Sequence, residues 1–139
     1  MPATAQRSIG RLLYLSLILA TIAAGLLCRF SHIGLPPGIA KYGGSALWAL
    51  MLYWLAALLL RRWQPFPLVI ATGLFATAIE YLKLYHSPAL DTFRLTLPGI
   101  LLLGRFFSLW DIAAYWFAIA TGALIDRYIL RPPPRSVGR

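Results

Sequence analysis

The chain has 139 residues, 60% of them hydrophobic and 12% charged, with a mean hydropathy of +0.72. A soluble domain carries roughly 25% charged residues, so this composition excludes an ordinary globular domain and points to a single membrane bundle. The net charge of +9 does not signal nucleic acid: the bases sit singly or in pairs beside apolar runs, as anchors to anionic headgroups do, not in a stripe across a polar face.

Residues 1–11 are polar and carry Arg7 and Arg11. Residues 12–28 form the first apolar run, closed by Arg29. The run is longer than a signal-peptide core and ends without a small-x-small cleavage site, which predicts an uncleaved transmembrane helix. Cys28 is the only cysteine, so no intramolecular disulfide forms, and a packed thiol is the expectation. Pro36-Pro37-Gly38 and Gly43-Gly44 predict a loop over residues 29–44. The second span is expected over 45–60, ending at Arg61-Arg62. A tight turn with Pro65 and Pro67 follows, making the second and third spans antiparallel neighbours.

The third span is expected over 68–85, with Glu80 past its midpoint and Lys83 one turn on along the same face. His86-Ser87-Pro88 ends it. Residues 95–103 are apolar but short and are interrupted by Pro98-Gly99, which predicts a re-entrant or interfacial segment instead of a fifth span. The last span, 108–129, opens on Ser108-Leu109-Trp110-Asp111, a capping-box pattern with Asp in place of Glu. Residues 130–139 form a basic, proline-containing tail. The expected architecture is therefore an all-α integral membrane protein. It has four transmembrane helices, a short re-entrant or interfacial segment before the last, and one membrane domain over 1–139.

Three of the four acids, Glu80, Asp91 and Asp111, fall in one 32-residue stretch together with Lys83, Arg94 and Arg105. Ionisable groups at membrane depth are costly and commonly mark function. Glu80 requires a partner or a proton, and Lys83, Arg94 and Arg29 are the candidates. A structural ion pair that sets helix register explains Glu80 equally well, and capping the last helix explains Asp111. Arg94 suits bidentate contact with a carboxylate or phosphate, and Arg105 can snorkel to headgroups. His32 and His86 lie in loops without a metal-ligand spacing, and neither a nucleophile elbow nor a nucleotide-binding loop is present, so no metal and no cofactor are expected.

The segment EYLKLY from Glu80, the Leu90-Asp91-x-x-Arg94 element, the LGRFFSLWD segment ending at Asp111, and Gly122 form an ordered set. The set resembles a bacterial family of small integral membrane proteins of unknown function, itself similar to the VanZ-like proteins, which are named for a teicoplanin-resistance factor. In the VanZ-like pattern a Glu, an Arg and an Asp recur in this order and would fall on Glu80, Arg94 and Asp111. Lys83 stands where a Gln is usual, Tyr115 where an Asn is usual, and the stretch from Arg94 to Asp111 is longer. The resemblance implies a multi-pass inner-membrane protein.

The sequence supports three functional readings. The first is a polar pocket at the outer leaflet, lined by Glu80, Arg94 and Asp111 with Arg29, Lys83, Asp91 and Tyr115 nearby. Its partner would be a membrane lipid or a lipid-linked cell-envelope precursor. The second is a non-catalytic scaffold for another membrane protein, and the third a small proton-coupled carrier. The residues identify neither an enzymatic reaction nor an oligomeric state. Eight bases fall on the side of the termini and five on the other, so both termini are expected in the cytoplasm. Reporter fusions after Arg62 and Arg139 should read cytoplasmic and one near Ser87 external; an external C terminus would reverse this orientation.

Overall fold

A computed structural model describes residues 3–30 and 34–131, with side chains from Gly10 onward. His32 and tail residues 132–139, including Arg135 and Arg139, lie outside the described residues. The elements are helices α1 (Ala3–Phe30), α2 (Pro37–Leu59), α3 (Pro65–Leu82), α4 (Pro88–Arg94), α5 (Leu97–Leu102) and α6 (Leu109–Ile125), then a π-helical turn, Asp126–Leu130. No strand occurs among the described residues. Four stretches are long and apolar enough to span a membrane: Gly10–Phe30, Pro37–Leu59, Pro65–Leu82 and Leu109–Leu130. The chain is thus an all-α, multi-pass membrane protein.

The helices α1 and α3 start earlier than expected, at Ala3 and Pro65, and two further boundaries that differ bear on the site. The loop predicted over 29–44 is largely helix, because Pro37 occupies the first turn of α2, where its missing N–H is not needed. Gly43 and Gly44 then lie inside α2 despite their low helix propensity of roughly 1 kcal/mol each. The third span stops at Leu82 and not at residue 85: Leu84 and Tyr85 donate to Tyr81 and Leu82 in tighter i−3 bonds of 3.0 Å. Glu80 therefore sits two residues from the helix end, about 22 Å from its start.

The short segment forms two helices, each with a cap readable in the sequence. Ser87 Oγ accepts from Leu90 N–H (3.3 Å) ahead of Pro88, and Thr96 Oγ1 accepts from Gly99 N–H (3.2 Å) beside Pro98. At six residues, α5 extends about 9 Å, far short of a bilayer crossing. A Cβ on Gly99 would lie 1.9 Å from the Phe93 carbonyl oxygen, so glycine lets the start of α5 pack on the end of α4.

Helix α2 packs against α1, α6 and α3, and α3 packs against α6. The shared core is rich in alanine (Ala49, Ala57, Ala76, Ala118), with Tyr53, Trp54, Leu68 and Ile119 filling the gaps. Small residues bring helices close where lipid and core are equally apolar. The Thr72 and Thr77 hydroxyls are satisfied within α3, donating to Leu68 O (2.6 Å) and Gly73 O (2.8 Å). The α3–α6 contact depends on Gly73. A Cβ there would meet the Trp116 ring at 2.4 Å, and Trp116 Nε1 is held by Thr77 Oγ1 at 3.1 Å. Gly73→Ala should therefore destabilise the bundle by about 1–3 kcal/mol through overpacking, as read by reversible unfolding in mixed micelles. Unchanged stability would mean that Trp116 does not wedge against this glycine.

Candidate functional site

At one end of the bundle the end of α3, the start of α6 and the first half of α2 converge. Glu80 is fully buried. Its Oε2 accepts from Lys83 Nζ (2.5 Å) and from the Tyr115 hydroxyl (2.6 Å), and its Oε1 accepts from Ser108 N–H (2.8 Å). In a capping box the acid three residues into the helix bonds the N-cap N–H. Here Glu80, reaching from α3, takes that role, and Ser108 makes no side-chain cap bond. Asp111 is released from capping: buried, it accepts from Ser45 Oγ at 3.0 Å. The capping box expected at Ser108–Asp111 is thus replaced by a tertiary bond between two helices.

Arg94 differs most from expectation. The sequence puts it in one pocket with Glu80 and Asp111 and offers it as a partner for Glu80, but it makes no ion pair or hydrogen bond to either acid. Its buried guanidinium donates to Leu82 O (2.6 Å), Tyr85 O (2.9 Å) and Asp91 Oδ1 (3.1 Å). Those carbonyls lie at and just beyond the end of α3, where a cation also complements the helix dipole. Arg94 is the last residue of α4, a short helix that follows α3 after one turn, so its fork meets the end of α3. Asp91 is half-exposed and also faces His86 Nδ1 at 3.2 Å.

A cavity of about 370 Å³ opens beside this network. Of the residues expected at the site, Arg29, Lys83, Asp111 and Tyr115 line it, while Glu80, Asp91 and Arg94 do not. Sequence reasoning did not anticipate Lys41, Ser45 and Trp48 from α2, which line it too, together with Arg105, read only as a headgroup anchor. Lys41 was hidden by the expected loop over 29–44, which kept it off the helix face that carries Ser45 and Trp48. The spacing of all three, four and then three, is the helical signal that would have put them on one face. Gly44 and Gly104 also border the cavity. Gly104 has φ +68°, and a Cβ there would meet Lys83 Nζ at 3.1 Å. The Trp48 ring lies 5.4 Å from that of Tyr115, and its buried indole N–H has no acceptor.

A second polar network closes the opposite end, about 22 Å along the last span from Asp111. Asp126, fully buried, accepts from the hydroxyls of Tyr14 and Tyr53 (the latter 2.9 Å) and pairs with Arg131 Nε at 3.2 Å. Arg131 also donates to Trp63 O (2.9 Å) and Arg61 O (3.3 Å), beyond the end of α2. Burial alone would lower the Arg131 pKa, but the Tyr14 hydroxyl and the Asp126 carboxylate hold it above its ordinary value. The π-helical turn explains the pairing, since Arg131 N–H bonds Asp126 O (2.8 Å) and the two residues, five apart, share a face. An α-helical reading separates them, which is why the sequence did not reveal this network. Among the described residues no cluster of three His, Cys, Asp or Glu side chains is arranged to hold a metal.

The family described as "Protein of unknown function (DUF2809)" matches residues 35–119, more than half of the chain, and the chain belongs to that family. The match runs from the residues before α2 well into α6, so it includes Glu80, Asp111 and Tyr115 and stops short of Asp126. No solved structure matches the chain.

Because Glu80 and Lys83 are both buried, removing one strands the other's charge. Glu80→Ala should cost about 3–5 kcal/mol, and adding Lys83→Met should recover much of it. Reversible unfolding of the two single variants and the double variant checks this, and simple additivity would refute the coupling.

Proposed function

We propose that this protein binds the phosphate-bearing headgroup of a membrane lipid, or of a lipid-linked cell-envelope precursor, in the cavity beside Asp111. One observation carries the reading: Arg29, Lys41 and Arg105 border a cavity of about 370 Å³ and none of them makes an ion pair to a carboxylate among the described residues. The volume falls in the range of small-ligand sites, roughly 300–1,000 Å³. Unpaired bases beside apolar surface suit an anionic group attached to an acyl chain. The Trp48 N–H, buried at the cavity wall without an acceptor, offers a donor for a ligand oxygen. The anion-binding role assigned to Arg94 from sequence passes to these three bases, since both terminal nitrogens of Arg94 are occupied.

In this proposal the protein resides in a bacterial inner membrane, with both termini cytoplasmic and the cavity toward the outer leaflet. The asymmetry of basic residues supports that orientation. Kinship with the VanZ-like proteins is part of the same proposal and rests on the order Glu80, Arg94, Asp111. A second reading, a non-catalytic scaffold, draws support from the fully satisfied Glu80–Lys83–Tyr115 network, which holds the helices in register without need of a ligand.

Native mass spectrometry of the purified chain in lipid nanodiscs tests the proposal. Wild type should retain phospholipid, and the combined variant Arg29→Gln, Lys41→Gln, Arg105→Gln should retain about tenfold less, as expected from losing a charged contact. Cys28, the only cysteine, lines the cavity, so bound lipid should also slow its alkylation. Equal retention and equal alkylation would favour the scaffold.

A further inference from the structure

We propose that the headgroup taken by the cavity carries a primary ammonium as well as a phosphate, and that the ammonium is bound innermost, at Asp111. This rests on the headgroup-binding reading above and names its ligand class.

The inference starts from which charges have partners. Each of the other three carboxylates has a base of its own: Glu80 with Lys83 at 2.5 Å, Asp91 with Arg94 at 3.1 Å, Asp126 with Arg131 at 3.2 Å. Asp111 has none. It is only 3% exposed, yet its recorded partner is the neutral hydroxyl of Ser45. A carboxylate removed from water and left with a hydroxyl is poorly compensated. Both Asp111 and Ser45 face the cavity, so a ligand cation can supply what the protein does not. A primary ammonium has three donors to distribute over Asp111 and the neighbouring hydroxyls.

A free cation would fit badly, because the same cavity is bordered by Arg29, Lys41 and Arg105, all exposed and all without a carboxylate. Lys83 adds no net charge, being balanced by Glu80. Asp111 is therefore the buried charge of the cavity, while the three bases and the apolar side chains of Leu102 and Phe106, 51% and 77% exposed, lie at its exposed border. An aminoethyl phosphodiester attached to acyl chains has the complementary order: terminal ammonium, then phosphate, then hydrocarbon. Entering head first, it puts the ammonium at the buried acid and the phosphate and hydrocarbon at the exposed border of bases and apolar side chains. An amine-free headgroup would leave Asp111 uncompensated, and an isolated amine would meet the repulsion of the three bases. The matching chemistry is an amine joined to a phosphate, whether a lipid supplies it or a soluble phosphoamine.

Native mass spectrometry in mixed micelles, with the full chain, tests the inference. Phosphatidylethanolamine, its N-acetylated form and phosphatidylglycerol would compete in equal amounts. Wild type should retain phosphatidylethanolamine about tenfold over the other two, the ratio expected of one charge-assisted contact. Asp111→Asn and Ser45→Ala should each reduce that ratio toward parity. A further arm adds water-soluble glycerophosphoethanolamine. Displacement of lipid by it at comparable concentration supports the headgroup chemistry and assigns it to a soluble source; failure to displace supports a lipid. If wild type binds phosphatidylglycerol or the N-acetylated lipid as well as phosphatidylethanolamine, the amine site is overturned while headgroup binding stands. Binding of none of these lipids overturns both. The wild-type comparison decides the matter even where a variant fails to fold.

Discussion

Glu80 is the residue on which the site end of the bundle depends. A carboxylate with no exposure inside an apolar bundle carries a desolvation cost of several kcal/mol unless its oxygens are satisfied. Its three donors come from different parts of the chain: Lys83 from the turn after α3, Tyr115 from α6, and the Ser108 backbone at the start of α6. Satisfying one side chain therefore fixes where α3 ends, where α6 begins and how they face each other. Gly73 and Trp116 secure the same helix pair farther along α3. Because Glu80 holds the α6 N-cap N–H, Asp111 is free to face Ser45 and the cavity.

Backbone carbonyls at or just beyond a helix end are met twice by an arginine. Arg94 serves the end of α3 and Arg131 the carbonyls beyond α2. Each is paired with an aspartate slightly earlier in the chain, Asp91 and Asp126. These are bases consumed by structure. Arg29, Lys41 and Arg105, by contrast, border the cavity and make no ion pair to a carboxylate among the described residues. The Asp126 network also ties α1 to the rest through Tyr14, a helix whose other extensive packing is against α2.

Much of the fold was legible in the sequence. Long apolar runs between basic residues mark four spans because hydrocarbon demands length and apolarity of a crossing helix. Pro98-Gly99 and the short run around it mark a segment that cannot cross. Glu80 and Lys83, three apart, had to share a helix face, and they pair as that spacing requires. Pro37 and Gly43-Gly44 misled, since proline is compatible with a first helical turn and paired glycines are tolerated where an apolar environment enforces helix.

The partners of the remaining charges were set by tertiary structure alone. Ser45 meets Asp111 across 66 positions, Tyr53 meets Asp126 across 73, and Tyr14 meets it across 112. No local periodicity encodes such pairs, because a buried polar atom takes whichever donor the packed helices bring within reach. Arg94 illustrates the limit: its charge and depth suggested the two acids, but the carbonyls of Leu82 and Tyr85 lay nearer. Composition and periodicity thus determined that the chain crosses a membrane and roughly where. The packing of α2 and α6 decided which charges are spent on structure and which face the cavity, since hydrogen-bond reach is a matter of distance in space and not of order along the chain.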